Sequence, residues 1–485
     1  MRPSTLFYMA NRGNFSGRIG FILAAAGSAV GLGNIWRFPY LAGSNGGAIF
    51  LLVYLACILF LCYPVMVGEI AIGRSANSDA YGSYNKLGGR KWGYLGLFGI
   101  MAGIFILSFY NVVAGWAFGY FLHISFGDLL NHQDFGGFFG SYVNDILDVS
   151  SLAGLANSNF IFSLVFMALT AIIVSQGIQK GIEAANKIMM PSLYLILIGI
   201  IIYSLTLPNA FSGVKFYLIP DFNELKIKTV VDGLKQAFFS LSLGMGALIT
   251  YGSYLSKKEN ITSSALVISI ADTSVAFFAG LMVFPLVHFL AFKLNVDPQQ
   301  IGTSGPPLIF VVLPQIFSEM GPLLGRIIGG SFFLLVCFAA LTSTISLLEV
   351  PVAYLVDQKK MKRKNVVWLL ALLIFVFGLP SMVSQGMIPA FNKLTFYRGQ
   401  DFLTFIADMS DICLTVGGCL MCIFISRQWG IGNMDAELTH GNENYMKSRT
   451  RSFLHISIRW VAPFLLGILS ILIIVEKFFG IDNLI

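Results

Sequence analysis

Charge is what this sequence has least of. Only 11% of its 485 residues are Asp, Glu, Lys or Arg, against about 25% in an ordinary soluble domain, which excludes a soluble globular protein. Histidine is scarce as well. The five that occur, His123, His132, His288, His440 and His455, are scattered, without the grouping of nucleophile, base or metal ligands that a membrane enzyme needs. All six cysteines, Cys57, Cys62, Cys337, Cys413, Cys419 and Cys422, fall inside apolar runs, where a thiol is a small buried hydrophobe rather than half of a disulfide framework. Cys419 and Cys422 form a C-x-x-C, but without the strand context or second ligand pair that redox or zinc chemistry requires. No repeated filter sequence of the kind that multi-subunit channels assemble is present. The net charge of +7, from 31 Lys and Arg against 24 Asp and Glu, is spread over short loops and reads as membrane-orientation signal, not as a nucleic-acid surface.

What is present is hydrophobic: 56% of residues, including 44 Phe. A spanning helix needs roughly 20 apolar residues. Runs bounded by Gly, Pro, Asn or charge lie near 19–44, 48–72, 93–125, 159–177, 189–207, 231–255, 262–292, 323–355, 366–384, 402–426 and 457–477, which predicts an all-α polytopic membrane protein of about eleven transmembrane helices. The first run follows Arg2, Arg12 and Arg18 but is too long for a secretory signal, so it is read as a retained helix. Basic residues cluster between alternate runs, at Lys86, Arg90 and Lys91, at Lys257 and Lys258, at Lys359–Lys364 and at Lys447–Arg451. By the positive-inside rule these loops and the N-terminus are cytoplasmic, with the C-terminus outside.

Two runs are interrupted. The first contains Gly27-Ser-Ala-Val-Gly-Leu-Gly-Asn34, and the sixth contains Ser240-Leu-Ser-Leu-Gly-Met-Gly246. Each glycine costs about 1 kcal/mol in a helix relative to alanine, and backbone unwound at membrane depth must line a cavity or be buried in protein. The interruptions occupy corresponding places in two five-helix halves, the pattern of an inverted-repeat secondary transporter. Gly27-x-x-x-Gly31 is equally a helix-packing motif, so spacing leaves both readings open.

The segment Gly27-Ser-Ala-Val-Gly-Leu-Gly-Asn-Ile-Trp-Arg-Phe-Pro-Tyr40 resembles the first helix of the neurotransmitter:sodium symporter family, in its bacterial amino-acid branch. The likeness continues in Glu69-Ile-Ala-Ile-Gly-Arg74, Tyr110, Gly115-Trp116, Gln236–Gly246 and Ala339-Ala-Leu-Thr-Ser-Thr344. It implies a five-plus-five inverted-repeat fold with broken helices 1 and 6. The divisions expected are a cytoplasmic N-terminus (1–18), a first repeat (19–207), a second repeat (231–426), a cytoplasmic loop (427–456), and an eleventh helix with an external C-terminus (457–485).

The resemblance also implies ligands. One sodium site would use Ala29, Asn34, Ser240, Asp272 and the substrate's own carboxylate; a second would use Gly27, Val30, Ala339, Thr342 and Ser343. Substrate would meet Ala29, Gly31, Leu32, Gly33, Ile106, Tyr110, Phe239, Ser240, Ser242, Met245, Ser343 and Leu347. Arg37 with Asp408 is expected as an outer gate, and Arg12 with Asp357 and Tyr254 as an inner one. Glu69 and Gln236 support the breaks from behind, and Glu349 has no matching role. Family members that bind monoamines carry Asp where Gly31 stands, so an amino acid is expected. Chloride-dependent members carry Asn in place of Asp272 and Ser in place of Ala276, so transport is expected to be chloride-independent. The overall expectation is sodium-coupled import of a neutral, apolar or aromatic amino acid across a bacterial cytoplasmic membrane by a monomer or weak dimer. Another zwitterion or amine-like solute, or a channel, is the alternative.

Overall fold

The computed structural model describes residues 13–126, 128–144, 158–301, 307–385 and 399–479. Among the described residues, eight unbroken helices are long and apolar enough to cross a membrane: Ala48–Ala76, Arg90–Phe126, Ile178–Ser204, Ile261–Leu294, Pro322–Lys359, Arg363–Val383, Phe402–Trp429 and Arg449–Phe479. A ninth span is broken, its halves Arg18–Ala29 and Gly33–Ser44 meeting at 51°. Two further helices complete the order seen in sequence: Asn159–Ser175, and a pair of short helices, Ile227–Ser240 and Ala247–Gly252. In chain order these are helices 1 to 11, with helices 1 and 6 broken.

The fold is the all-α, broken-helix architecture read from the sequence. Large apolar side chains on helices 5, 9 and 11, such as Ile188, Leu195, Leu372, Trp460 and Phe464, face outward, as a bilayer requires. Inside, helix 3 lies along helix 8, and the Arg18–Ala29 half of helix 1 is wedged among helices 5, 7 and 8. Small residues permit these approaches: a Cβ at Gly378 of helix 9 would meet the backbone carbonyl of Ser108 on helix 3 at 2.5 Å.

Helix ends depart from the hydropathy pattern in a consistent way. Helix 5 begins at Ile178 rather than near 189, and helix 11 at Arg449 rather than 457. Both extra segments carry charge that the fold satisfies locally. In helix 5, Lys187 Nζ meets Glu183 Oε1 one turn away at 2.6 Å, and in helix 11 Arg451 Nε meets Asp435 at 2.8 Å. Between helices 10 and 11 a short helix, Ile431–Thr439, docks beside helix 2, where the buried Arg74 pairs with Glu437 at 2.6 Å. Asn260 and Asp401 accept from the amides of Ser263 and Thr404 and so start helices 7 and 10, as N-caps do.

Candidate functional site: a cavity between two broken helices

Helix 1 leaves its α-helical path at Val30, whose backbone is extended (φ −69°, ψ 112°). It resumes as a wide turn over Gly33–Arg37. The free amide of Gly31 is taken by Asn34 Oδ1 at 3.0 Å. Helix 6 breaks differently, through positive φ at Ser242 (55°), Gly244 (84°) and Gly246 (77°). Glu69 of helix 2 reaches across to accept from the Gly244 amide at 2.6 Å. Gln236 ties the breaks together by donating to the Gly33 carbonyl at 2.8 Å, and Ser242 Oγ donates to the Ser28 carbonyl at 2.9 Å.

Between the breaks lies a narrow cavity. Eleven of the twelve residues expected to meet substrate line it or its rim: Ala29, Gly31, Gly33, Ile106, Tyr110, Phe239, Ser240, Ser242, Met245, Ser343 and Leu347. Leu32 lies just outside, its amide donating to Tyr110 Oη at 2.8 Å. Ser28 also lines the cavity. Among the described residues no charged side chain does. A Cβ at Gly31 would stand 2.6 Å from Tyr110 Oη and collide with Ser343 Oγ, so the missing side chain is what lets these two hydroxyls close on the break.

On one side of the cavity is a fully buried polar cluster. Asp272 accepts from Asn34 Nδ2 at 2.7 Å, Ser240 Oγ at 2.9 Å and Tyr54 Oη at 3.1 Å. Tyr54 escaped the sequence reading; a tyrosine in an apolar run gives no sign that it faces a carboxylate 218 residues away. On the other side Thr342 Oγ1 lies 3.2 Å from the Val30 carbonyl and 2.9 Å from that of Ala339. Ser343 Oγ lies 3.3 Å from Val30, and Gly27 packs against Thr342.

Two vestibules flank the cavity. Tyr110, Phe239 and Gly33 separate it from a larger one that carries Arg37, Asp408 and Asp411. The Arg37 guanidinium stacks 4.7 Å from the centre of the Phe239 ring and pairs with Asp411 at 2.9 Å. The expected partner Asp408 is therefore replaced by Asp411. Asp408 is engaged instead by Lys477 at 3.2 Å, from the far end of helix 11; three residues apart on one helix, the two carboxylates point to different cations.

The opposite vestibule is lined by Tyr254, Asp357 and Arg363 among others. Arg12 lies outside the described residues. Phe15 stacks edge-on against Tyr251 and Tyr254, and its amide donates to the Tyr254 carbonyl at 3.3 Å. Asp357 accepts from the Asp79 amide at 3.0 Å. Glu349, unplaced by sequence, receives Tyr254 Oη at 2.8 Å and both arms of the Arg363 guanidinium, one of them at 3.0 Å.

Helices broken at membrane depth around a small closed cavity, with a vestibule on each side and buried oxygens at the breaks, define a secondary transporter. The profile of the "Sodium:neurotransmitter symporter family" matches residues 12–135 and 131–481, and the chain belongs to that family of sodium-dependent transporters. It is 37% identical over 473 residues to the uncharacterized sodium-dependent transporter YhdH of Bacillus subtilis, covering 96% of this chain and 98% of that one. It is 35% identical over 411 residues to an uncharacterized sodium-dependent transporter of Methanocaldococcus jannaschii, covering 84% and 82%. Among solved structures, MhsT in complex with L-phenylalanine superposes with a TM-score of 0.83 at 40% identity, over 95% of this chain and 99% of that one.

Proposed function

We propose that the protein imports a neutral, apolar or aromatic amino acid together with two sodium ions, independently of chloride, with its N-terminus in the cytoplasm of a bacterial cell. The observation that carries this reading is the cavity at Gly31, whose described lining is uncharged and where the missing side chain brings Tyr110 Oη and Ser343 Oγ up to the broken end of helix 1. A carboxylate placed there meets a helix start and a phenolic donor. An unpaired charged side chain at the other end would be left without a partner. That MhsT was crystallised with L-phenylalanine, at 40% identity, supports the same substrate class.

Sodium prefers hard oxygen ligands. The first ion would be held by the Ala29 carbonyl, Asn34, Ser240, Asp272 and the substrate carboxylate. The second would be held by the carbonyls of Gly27, Val30 and Ala339 and the hydroxyls of Thr342 and Ser343. The short spacing of these oxygens supports the assignment. An ion that shares the substrate carboxylate makes the two affinities mutually dependent, because linkage is reciprocal. Asp272 supplies fixed negative charge beside the first ion, and this is the ground for expecting no chloride requirement.

Tyr110 and Phe239 form the thin outer lid, Arg37 and Asp411 the outer pair above it, and Asp357, Tyr254 and Phe15 the inner closure. Rocking of helices 1, 2, 6 and 7 against the remainder would expose the cavity to one vestibule at a time. Two sodium ions entering with a zwitterion gain about 4.6 kcal/mol per 100 mV of membrane potential. The test is uptake of labelled neutral amino acids into proteoliposomes, with an inward sodium gradient against potassium on both sides. Saturable, sodium-dependent accumulation that persists in gluconate supports the reading; no accumulation of any amino acid overturns the substrate class, and collapse in gluconate overturns the chloride independence.

A further inference from the structure

The buried carboxamide of Asn186 takes no part in the arrangements described above. It lies on helix 5 with no exposed surface, and its Nδ2 donates to the Ile182 carbonyl at 2.8 Å. Its Oδ1 has no hydrogen-bond partner among the described residues. Exchanging the oxygen and nitrogen does not help, because the oxygen would then face the Ile182 carbonyl, acceptor against acceptor. An acceptor withdrawn from water without a partner is destabilising by itself and marks an atom available to a mobile ligand.

That oxygen is aimed at the inner half of helix 1. At Gly27 it occupies the place a Cβ would take, with Asn186 Cγ at 3.0 Å and Thr342 Cβ at 3.3 Å from the same point. Helices 1, 5 and 8 therefore converge there on one polar atom, and only a glycine at 27 permits the approach. Residue 27 is three residues from Val30, about 4.5 Å along the helix axis toward Arg18. The Val30 carbonyl, with the Thr342 and Ser343 hydroxyls around it, stands at the break itself. Asn186 thus flanks these oxygens on their Arg18 side, from a helix that contributes none of them.

We infer that Asn186 Oδ1 is an additional sodium-binding oxygen of the second ion site, an inference that rests on the assignment of that site proposed above. A carboxamide oxygen is a hard, neutral ligand. It adds an oxygen from helix 5 without adding a fixed charge, so that a bound ion ties helix 5 to helices 1 and 8.

The experiment is thermal unfolding of the purified carrier as sodium replaces potassium, for wild type, Asn186→Ala, Asn186→Asp and Thr342→Val. Asn186→Ala is expected to unfold in potassium at the wild-type temperature or above, since it removes an unsatisfied acceptor. It should nevertheless need about five- to thirtyfold more sodium for half-maximal stabilisation, the loss of one such contact. Asn186→Asp, which keeps the oxygen and adds charge, should need less sodium than wild type, and serves if the alanine variant does not fold. Asn186→Ala with a sodium midpoint within about twofold of wild type, while Thr342→Val shifts it, overturns the role of Asn186 and leaves the site standing. Equal destabilisation of Asn186→Ala in potassium and sodium, or a raised midpoint in Asn186→Asp, overturns it too, as a packing role. No sodium shift in Thr342→Val removes the site assignment, and the inference with it.

Discussion

The two helix breaks do the same job by different physics. Helix 1 opens with no residue at positive φ in the break: Val30 is merely extended, and the exposed Gly31 amide is taken by Asn34, three residues on in the same segment. Helix 6 opens through three residues at positive φ, and its exposed Gly244 amide is taken by Glu69 from another helix. Glycine accordingly means different things at the two places. At Gly31 it means close approach of the Tyr110 and Ser343 hydroxyls at the cavity, whereas at Gly244 it means a backbone path that other residues resist.

Substitution at Gly244 should have the largest effect. Alanine there meets a positive φ of 84° and the Leu414 carbonyl carbon at 3.0 Å, and the left-handed conformation alone costs about 1–2 kcal/mol. Gly244→Ala is expected to lower the melting temperature by several degrees and to abolish uptake. A variant that melts like wild type would break the comparison. Gly31→Ala tests the other half. No positive φ is involved, and the added methyl meets only side-chain hydroxyls, of Ser343 and Tyr110, so the melting temperature should fall less than in Gly244→Ala while the half-saturating substrate concentration rises at least about tenfold, or roughly 1.4 kcal/mol. A fall in stability without a change in affinity would place Gly31 with Gly244, as a residue needed by the backbone.

The Asn34 and Asp272 cluster joins the two breaks, and its substitution should give an intermediate effect. Asp272→Asn keeps the shape but removes the charge, leaving Asn34 Nδ2, Ser240 Oγ and Tyr54 Oη around a neutral acceptor. Sodium is expected to bind about tenfold more weakly, with uptake becoming responsive to chloride. Sodium titrations of uptake in chloride and in gluconate measure both; unchanged sodium affinity would remove Asp272 from the first ion site.

The same contrast explains what could be read from the sequence. The eleven helices and both breaks were legible, because apolar run length and clustered glycines are local signals. The Asn34 cap of helix 1 lies within its own motif, whereas residues brought from afar were not legible from pattern alone: Tyr54 facing Asp272, and Arg363 and Tyr254 clasping Glu349. Glu69 at the sixth-helix break was placed only through the family resemblance. Helix starts were misjudged for a related reason. Hydropathy treats the charged segments before residues 189 and 457 as loop, while ion pairs such as Glu183 with Lys187 and Asp435 with Arg451 let the helices begin earlier.

The charge pair of Arg37 is the place where the structure puts Asp411 in the position expected for Asp408, and here the expected effects are smallest. Asp408 and Asp411 both face the vestibule that carries Arg37, and charge alone does not rank them. The structure ranks them through their cations, since Arg37 belongs to broken helix 1 and rests on the Phe239 ring, and Lys477 belongs to helix 11. Both pairs are partly exposed, with side chains 15–29% accessible, so each is worth only about 0–1 kcal/mol. What distinguishes them is which helix is released. Asp411→Asn frees Arg37 and with it the cation resting on the Phe239 ring, so bound substrate should dissociate toward the Arg37 side up to about fivefold faster. Asp408→Asn frees only the end of helix 11 and should leave that rate within about twofold. Dissociation of labelled substrate from the purified carrier, with and without sodium, measures both rates. The reverse ranking would return the gate to Asp408 and show that helix 11 takes part in closing the cavity.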